Sequence, residues 1–89
     1  MEVIVTKVFL KQLKHCPGYI QESARAILES LEAANNLNDI PDIKKLKGYE
    51  FYYRIRIGDY RIGMKHEKPK IVVMTILHRG TIYKKFPPQ

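Results

Sequence analysis

Arg54, Arg56 and Arg61 lie close together in the segment YYRIRIGDYRIGMK, where polar and apolar residues alternate. A guanidinium group is a planar fork of N–H donors that matches phosphate oxygens. Several on one surface can grip a phosphodiester and stabilise the charge that develops on its oxygens during phosphoryl transfer. Further along, HRGTIYKKF adds His78, Arg79, Tyr83, Lys84 and Lys85. Cations hold phosphates and an aromatic ring stacks on a base, so this mixture suits single-stranded RNA.

The elements that must position these residues follow from periodicity. Tyr52–Ile57, Tyr60–His66 and Ile71–Leu77 read as strands. Gly58-Asp59 fits a two-residue hairpin turn, because glycine accepts positive φ without penalty. That turn pairs Ile57 with Tyr60, Arg56 with Arg61, Ile55 with Ile62, Arg54 with Gly63, Tyr53 with Met64 and Tyr52 with Lys65. Side chains alternate across a strand. Tyr53, Ile55, Ile57, Tyr60, Ile62 and Met64 therefore make an apolar face, and Tyr52, Arg54, Arg56, Arg61 and Lys65 make a basic one. Arg56 and Arg61 oppose each other directly, which costs up to ~1 kcal/mol, and no acid on the exposed face of those two strands neutralises them. The face is either a phosphate grip or a solvated surface with splayed side chains. Gly63, across from Arg54, marks either a bulge or the close approach of a ligand or another backbone.

Upstream, Glu2–Val5 reads as a short strand and Thr6 as an N-cap. Lys7–His15 follows as a helix with Phe9, Leu10 and Leu13 at helical spacing. Pro17-Gly18 breaks the pattern. A second helix over Tyr19–Ala34 carries the stripe Ile20, Ala24, Ile27, Leu28 and Leu31. Asn35–Pro41 is a polar connection, and Asp42–Gly48 leads into the sheet. Glu67–Lys70 is a looser turn with Pro69 outside the ladder. The tail from His78 through Pro87-Pro88 to Gln89 is too short for another full helix. The expected fold is α+β in the order β-α-α-β-β-β, a single domain over residues 1–89. A helical hairpin covers one face of a small, mainly antiparallel sheet and leaves the other face free.

Composition narrows the function. The chain has 89 residues and a formal charge of +7, with the excess falling after Asn38, which points to a polyanion or an acidic protein partner. No apolar run approaches the ~20 residues of a membrane span. MEVIVTKVFL lacks the charged start and long apolar core of a signal peptide. Cys16 is the only cysteine, which excludes an internal disulfide and fits a cytoplasmic protein. His15, His66 and His78 show no metal-ligand spacing, so no metal or other cofactor is expected. His78 is either an acid–base group or a strand-end histidine with an ordinary hydrogen bond. Cys16 reads as a small, partly buried residue rather than a nucleophile. Tyr49, Phe51 and Tyr52 are candidates for base stacking or for packing. Lys44, Lys45 and Lys47 are either contacts to an RNA backbone or a solvated run.

Leu46-Lys47-Gly48, then Tyr52–Gly63, then HRGTIYKKF from His78 to Phe86 resemble the RelE/ParE superfamily of toxins from type II toxin–antitoxin systems. Segment order and length agree, so the resemblance spans nearly the whole chain. It implies a ribosome-dependent endoribonuclease that cuts mRNA without a metal, the substrate 2′-hydroxyl attacking the adjacent phosphate to leave a cyclic phosphate. Carried over residue by residue, Arg54 and Arg56 stand at the family's paired basic positions and Arg61 at its second-strand arginine. Arg79 stands at the arginine after the third strand, and Tyr83 at the C-terminal tyrosine. Arg61 would stabilise the transition state, Arg79 brace the leaving group, and Tyr83 orient or deprotonate the 2′-hydroxyl. Lys44, Lys45, Lys47, Lys65 and Lys84 are the candidate RNA contacts.

The chain departs from the family prototype, which carries lysines at the paired positions. Arginine stays protonated and cannot act as a general base, so proton transfer would fall to Tyr83, or to His78 if it points inward. The resemblance implies a cognate antitoxin as partner, with the ribosome and mRNA as targets. Two other readings share the fold: a ParE-like inhibitor of DNA gyrase, and a degenerate member that binds RNA or antitoxin without cleaving.

Overall fold

The computed structural model describes residues 1–87. Strand β1 (Glu2–Val5) is followed by helices α1 (Lys7–Leu13) and α2 (Gly18–Ala33) and a 3-10 turn (Leu37–Asp39). Strands β2 (Ile43–Lys45), β3 (Tyr52–Ile57), β4 (Tyr60–Glu67) and β5 (Lys70–His78) then lead into helix α3 (Arg79–Lys85). The five strands form one sheet in the order β1-β5-β4-β3-β2. Only β1 runs parallel to its neighbour, so the sheet is mainly antiparallel.

The hairpin register is the one expected, from Ile57 opposite Tyr60 to Tyr52 opposite Lys65. Turn length sets register, and a one-residue slip would move Ile55 and Ile62 out of the core. Both are fully buried, with Met64, Ile71, Val73 and Ile76, against Phe9, Ile20, Ala24 and Leu31 of the helical hairpin. The stripe of α2 faces this core as its spacing requires, with Ile27 and Leu28 at its margin. Leu10 does not join it: the residue is exposed, because a seven-residue helix lying along one edge of the sheet buries a narrow face only.

Thr6 fixes the start of α1. Its hydroxyl oxygen accepts from the Phe9 N–H at 3.1 Å and its O–H lies within reach of the Val73 and Met74 carbonyls. β1 pairs only with Lys70–Val73, so among the described residues no strand lies beside the outer edge of β5 beyond Val73. Gln12 closes part of that edge. Its Oε1 accepts from the Ile76 N–H at 3.0 Å and from the Thr75 hydroxyl at 2.7 Å. Gln12→Ala leaves both donors without that partner and is expected to cost about 1–2 kcal/mol. A lower urea midpoint with an unchanged m-value will show it.

Three expectations need correction. Ile43–Lys45, read only as a lead into the sheet, forms β2 and pairs antiparallel with Tyr53–Ile55. Three residues are too few for a period-two pattern to show. The tail was expected to be too short for a helix, yet Arg79–Lys85 forms α3, capped by His78, whose Nδ1 accepts from the Gly80 N–H. Pro88 and Gln89 of that tail lie outside the described residues. The second sheet face is not wholly free: Leu46, Ile82 and Phe86 are buried on it and pack with Tyr52, Met74 and Leu77. An amphipathic turn as short as α3 acquires its order from this tertiary packing rather than from local propensity.

β5 also carries a bulge. Gly63 pairs with Thr75 but Met64 pairs with Val73, which passes over Met74 and turns it toward the second cluster.

Candidate nucleic-acid interface

The basic face is built by β2, β3 and β4 with the residue before β2. Arg54, Arg56 and Arg61, with Asp42, Ile43, Lys44 and Tyr83, line an open cleft of about 410 Å³. α3 supplies Tyr83, which is 63% exposed. The Arg54 guanidinium lies over that ring, 4.7 Å from its centre, a cation–π contact that orients both groups.

Arg56 and Arg61 oppose each other across the strands, and the structure draws their charges apart. The Arg61 guanidinium turns back over the hairpin and donates at 2.9 Å to the carbonyls of Gly58 and Tyr60. Both bonds come from one terminal nitrogen, so the other edge of the fork keeps its donors for a ligand. Arg56 turns the other way, toward the Asp42 carboxylate at 3.9 Å. Asp42 is the cleft residue that sequence reasoning missed. Among the described residues neither Arg56 nor Arg61 meets an acid from β3 or β4, although Glu67 at the end of β4 pairs with Lys65 of the same face, and Asp42 reaches the cleft from the residue before β2. Its own carbonyl accepts from the Arg56 N–H at 3.2 Å, and its backbone is left-handed with φ 59°, a conformation aspartate adopts more readily than most residues. Pro41-Asp42 is a turn signal, but pairing it with Arg56 requires the position of β2.

The remaining candidates are distributed more widely. Lys45 and Lys47 border a neighbouring depression with Tyr49 and Glu50. Lys65 sits at the far end of the face, 5.7 Å from the centre of the Tyr52 ring and 3.5 Å from Glu67. Tyr52 packs edge-on against Phe86, and Tyr49 meets the Tyr52 ring edge-on while staying exposed like Phe51, so of the three aromatics Tyr52 packs on the buried cluster. Lys84 is exposed on α3 beside Tyr83. Arg79 opens α3, its N–H held by the Asp59 carbonyl at 2.8 Å, and it is not among the residues that line the cleft.

His78 is exposed, stacks edge-on against Tyr60 and spends its Nδ1 on the cap of α3. Cys16 is buried, and burial pushes its thiol pKa up, which disfavours the nucleophilic thiolate. Among the described residues no cluster of His, Cys, Asp and Glu could hold a metal ion, and no helix is long and apolar enough to cross a membrane.

His66 lies outside the cleft, beside Tyr53. Desolvation, then the Lys68 charge, push its imidazole below the ordinary value of about 6.5. The folded state thus favours the neutral ring. Its stability contribution is present above pH about 6.5 and is lost as pH falls through the lowered folded value. Urea unfolding at pH 7.5 and pH 5.5 checks the sign: the wild type is expected to lose more stability on acidification than His66→Gln.

Residues 3–83 match the family described as ParE toxin of type II toxin-antitoxin system, parDE. The chain is 48% identical to Toxin RelE3 of Methanocaldococcus jannaschii, over 98% of this chain and 100% of that protein. It is 33% identical to Putative toxin RelE1 of the same organism, over 92% and 93% of the two chains. Among solved structures it superposes on the toxin in the RelB-RelE antitoxin-toxin complex from Methanococcus jannaschii with a TM-score of 0.82 and 45% identity, covering 94% of this chain and 99% of that one. For the archaeal RelE-RelB complex from Pyrococcus horikoshii the TM-score is 0.72 and the identity 25%, with 90% and 96% covered. The isolated E. coli RelE toxin, at 20% identity and a TM-score of 0.65, shares the fold over 93% and 90% of the two chains. The chain therefore belongs to the RelE/ParE superfamily of toxins from type II toxin–antitoxin systems.

Proposed function

We propose that the chain acts, as one domain over residues 1–89, as a ribosome-dependent endoribonuclease that cuts mRNA in the cytoplasm and is held in check by a cognate antitoxin. The observation that carries this reading is the cleft itself: Arg54, Arg56, Arg61 and Lys44 gathered around the exposed ring of Tyr83. The solved relatives that pair RelE with RelB support the antitoxin as partner, and a charge of +7 suits an acidic one.

The reaction uses the substrate's own nucleophile. The 2′-oxygen bonds to phosphorus, the P–O5′ bond breaks, and a cyclic phosphate remains. The 2′ proton leaves to Tyr83 in its phenolate form, or to water, and the departing 5′-oxygen takes a proton from solvent. Arg61, braced by its own turn, meets the charge growing on the non-bridging oxygens without having to reorganise. Arg54 and Arg56 hold the flanking phosphates, and Lys44, Lys45, Lys47, Lys65 and Lys84 extend the cationic track. Arg79 braces the leaving group when the strand runs past the start of α3. So open a cleft aligns a flexible strand poorly by itself. Holding the message in a fixed path is the contribution expected of the ribosome.

Primer extension on translated and untranslated copies of one message, in bacteria expressing the chain, tests this. Cuts confined to the translated copy are the expected result. The family description names ParE, which makes gyrase inhibition the second reading. Growth arrest with an intact message and trapped gyrase would favour it and overturn ours. No arrest at all would favour a degenerate, purely binding member.

A further inference from the structure

We propose that Gly63 and Phe86 are positioning residues for Tyr83: the Phe86 ring occupies the place of a side chain at Gly63, and this seat sets where α3 holds Tyr83 over the cleft. The catalytic weight of Tyr83 rests on the nuclease reading above; the geometry of the seat does not.

Gly63 is buried in β4, directly opposite Arg54 on β3 and Thr75 on β5. A Cβ placed there would lie 2.8, 2.9 and 2.9 Å from Cγ, Cδ1 and Cδ2 of Phe86. Its backbone is not in the left-handed region, so space rather than conformation calls for glycine. Phe86 is held in turn. Tyr52 meets its ring edge-on with centres 5.5 Å apart, and its N–H donates to the Ile82 carbonyl at 2.9 Å. Ile82 is fully buried and Phe86 nearly so. These two anchors lie one helical turn apart and place Tyr83 between them. Tyr83 is itself 63% exposed, so beyond its contact with the Arg54 guanidinium its own packing does little to fix where its backbone sits. Its position, over Arg54 at 4.7 Å, follows from where the anchors sit.

The sequence pattern that left a gap on the basic face is thus filled by the chain's own C-terminal segment. Comfortable carbon–carbon contact begins near 3.5 Å, so a methyl group at position 63 must push the Phe86 ring back by roughly 0.5–1 Å. Ile82 and Phe86 are one turn apart, within and at the C-cap of the same seven-residue helix, so a shift at one anchor is passed to Tyr83 between them, and displacements near 1 Å at a reacting group can cost about 100-fold in rate.

The test compares Gly63→Ala, Phe86→Ala and the double variant, with single-turnover cleavage on programmed ribosomes and the NMR shift of Arg54 Hε in the isolated protein. The Tyr83 ring current acts on Arg54 Hε, so that signal reports the geometry without any catalysis. Gly63→Ala is expected to lower the single-turnover rate constant about 10–100-fold with the half-saturating concentration within twofold, and to move the Arg54 signal toward its position in Tyr83→Leu. Phe86→Ala removes the ring atoms that a Cβ at position 63 would meet, so on that background Gly63→Ala is expected to add no further loss or shift. An Arg54 signal that stays in place in Gly63→Ala overturns the proposal, and so does a Gly63→Ala effect that is as large with Phe86→Ala as without it. If Gly63→Ala does not fold, Phe86→Ala alone must move the Arg54 signal, and its failure to do so is equally decisive. A wild type that cuts no message sinks the nuclease reading only, because the NMR arm still decides the seat.

Discussion

Replacing Arg61 with alanine is expected to abolish most cleavage, lowering the rate by ~10²–10³ as removal of one preorganised charge-stabilising donor does elsewhere, while the fold persists. The fold is expected to survive because the side chain is half-buried and its protein bonds go to two carbonyls at the hairpin end, the exposed one of Gly58 and the part-buried one of Tyr60, which water can serve. The rate is expected to fall because those same bonds fix the guanidinium before RNA arrives. Neither opposing Arg56, paired with Asp42, nor Arg54, engaged with Tyr83, can take its place without giving up its own partner. Arg61→Lys should recover little: it keeps the charge but has no planar fork to reach two carbonyls and a phosphate together. Circular dichroism and thermal melts matching the wild type, beside cut sites that vanish from the translated message, are the expected outcome. Undiminished cutting by the alanine variant would remove Arg61 from the reaction.

Phe9→Ala is expected to be the most damaging of these changes to stability, at about 3–5 kcal/mol. That is a large share of the 5–15 kcal/mol that holds a typical domain together. Phe9 is fully buried in the main core, on the helix that lies against β5. The neighbouring packing cannot close over the space, because Thr6 and Gln12 pin both ends of α1 to β5. Leu10→Ala on the same helix serves as the control. Leu10 is exposed, so a change within about 0.5 kcal/mol is expected. Urea titrations of both variants give the comparison, and a small effect for Phe9→Ala would mean that α1 is not the brace described. Since β5 runs directly into α3, loosening α1 should also lower the amount of folded toxin in cells.

Much of this was legible in the sequence. A two-residue turn at Gly58-Asp59 and strict alternation on either side leave one register that buries Ile55, Ile62 and Met64 together, and that register puts Arg54, Arg56 and Arg61 on the opposite face. The stripe from Ile20 to Leu31 likewise admits only one inward side for α2. These are local rules with fixed periods, so residue spacing alone determines them. Tertiary structure decided what covers the basic face and which charges meet there. β2 has three residues, too few to show a period, and exists because β3 offers it an edge. That edge brings Asp42 to Arg56, a contact between positions with no fixed spacing. α3 has too few residues to be stable alone and is ordered by burying Ile82 and Phe86. Gly63 carried the clue as a gap opposite Arg54, but a gap does not say what fills it. Only the packed chain shows Phe86 seated there and Tyr83 held over Arg54, because contacts between distant segments depend on shape and burial rather than on period.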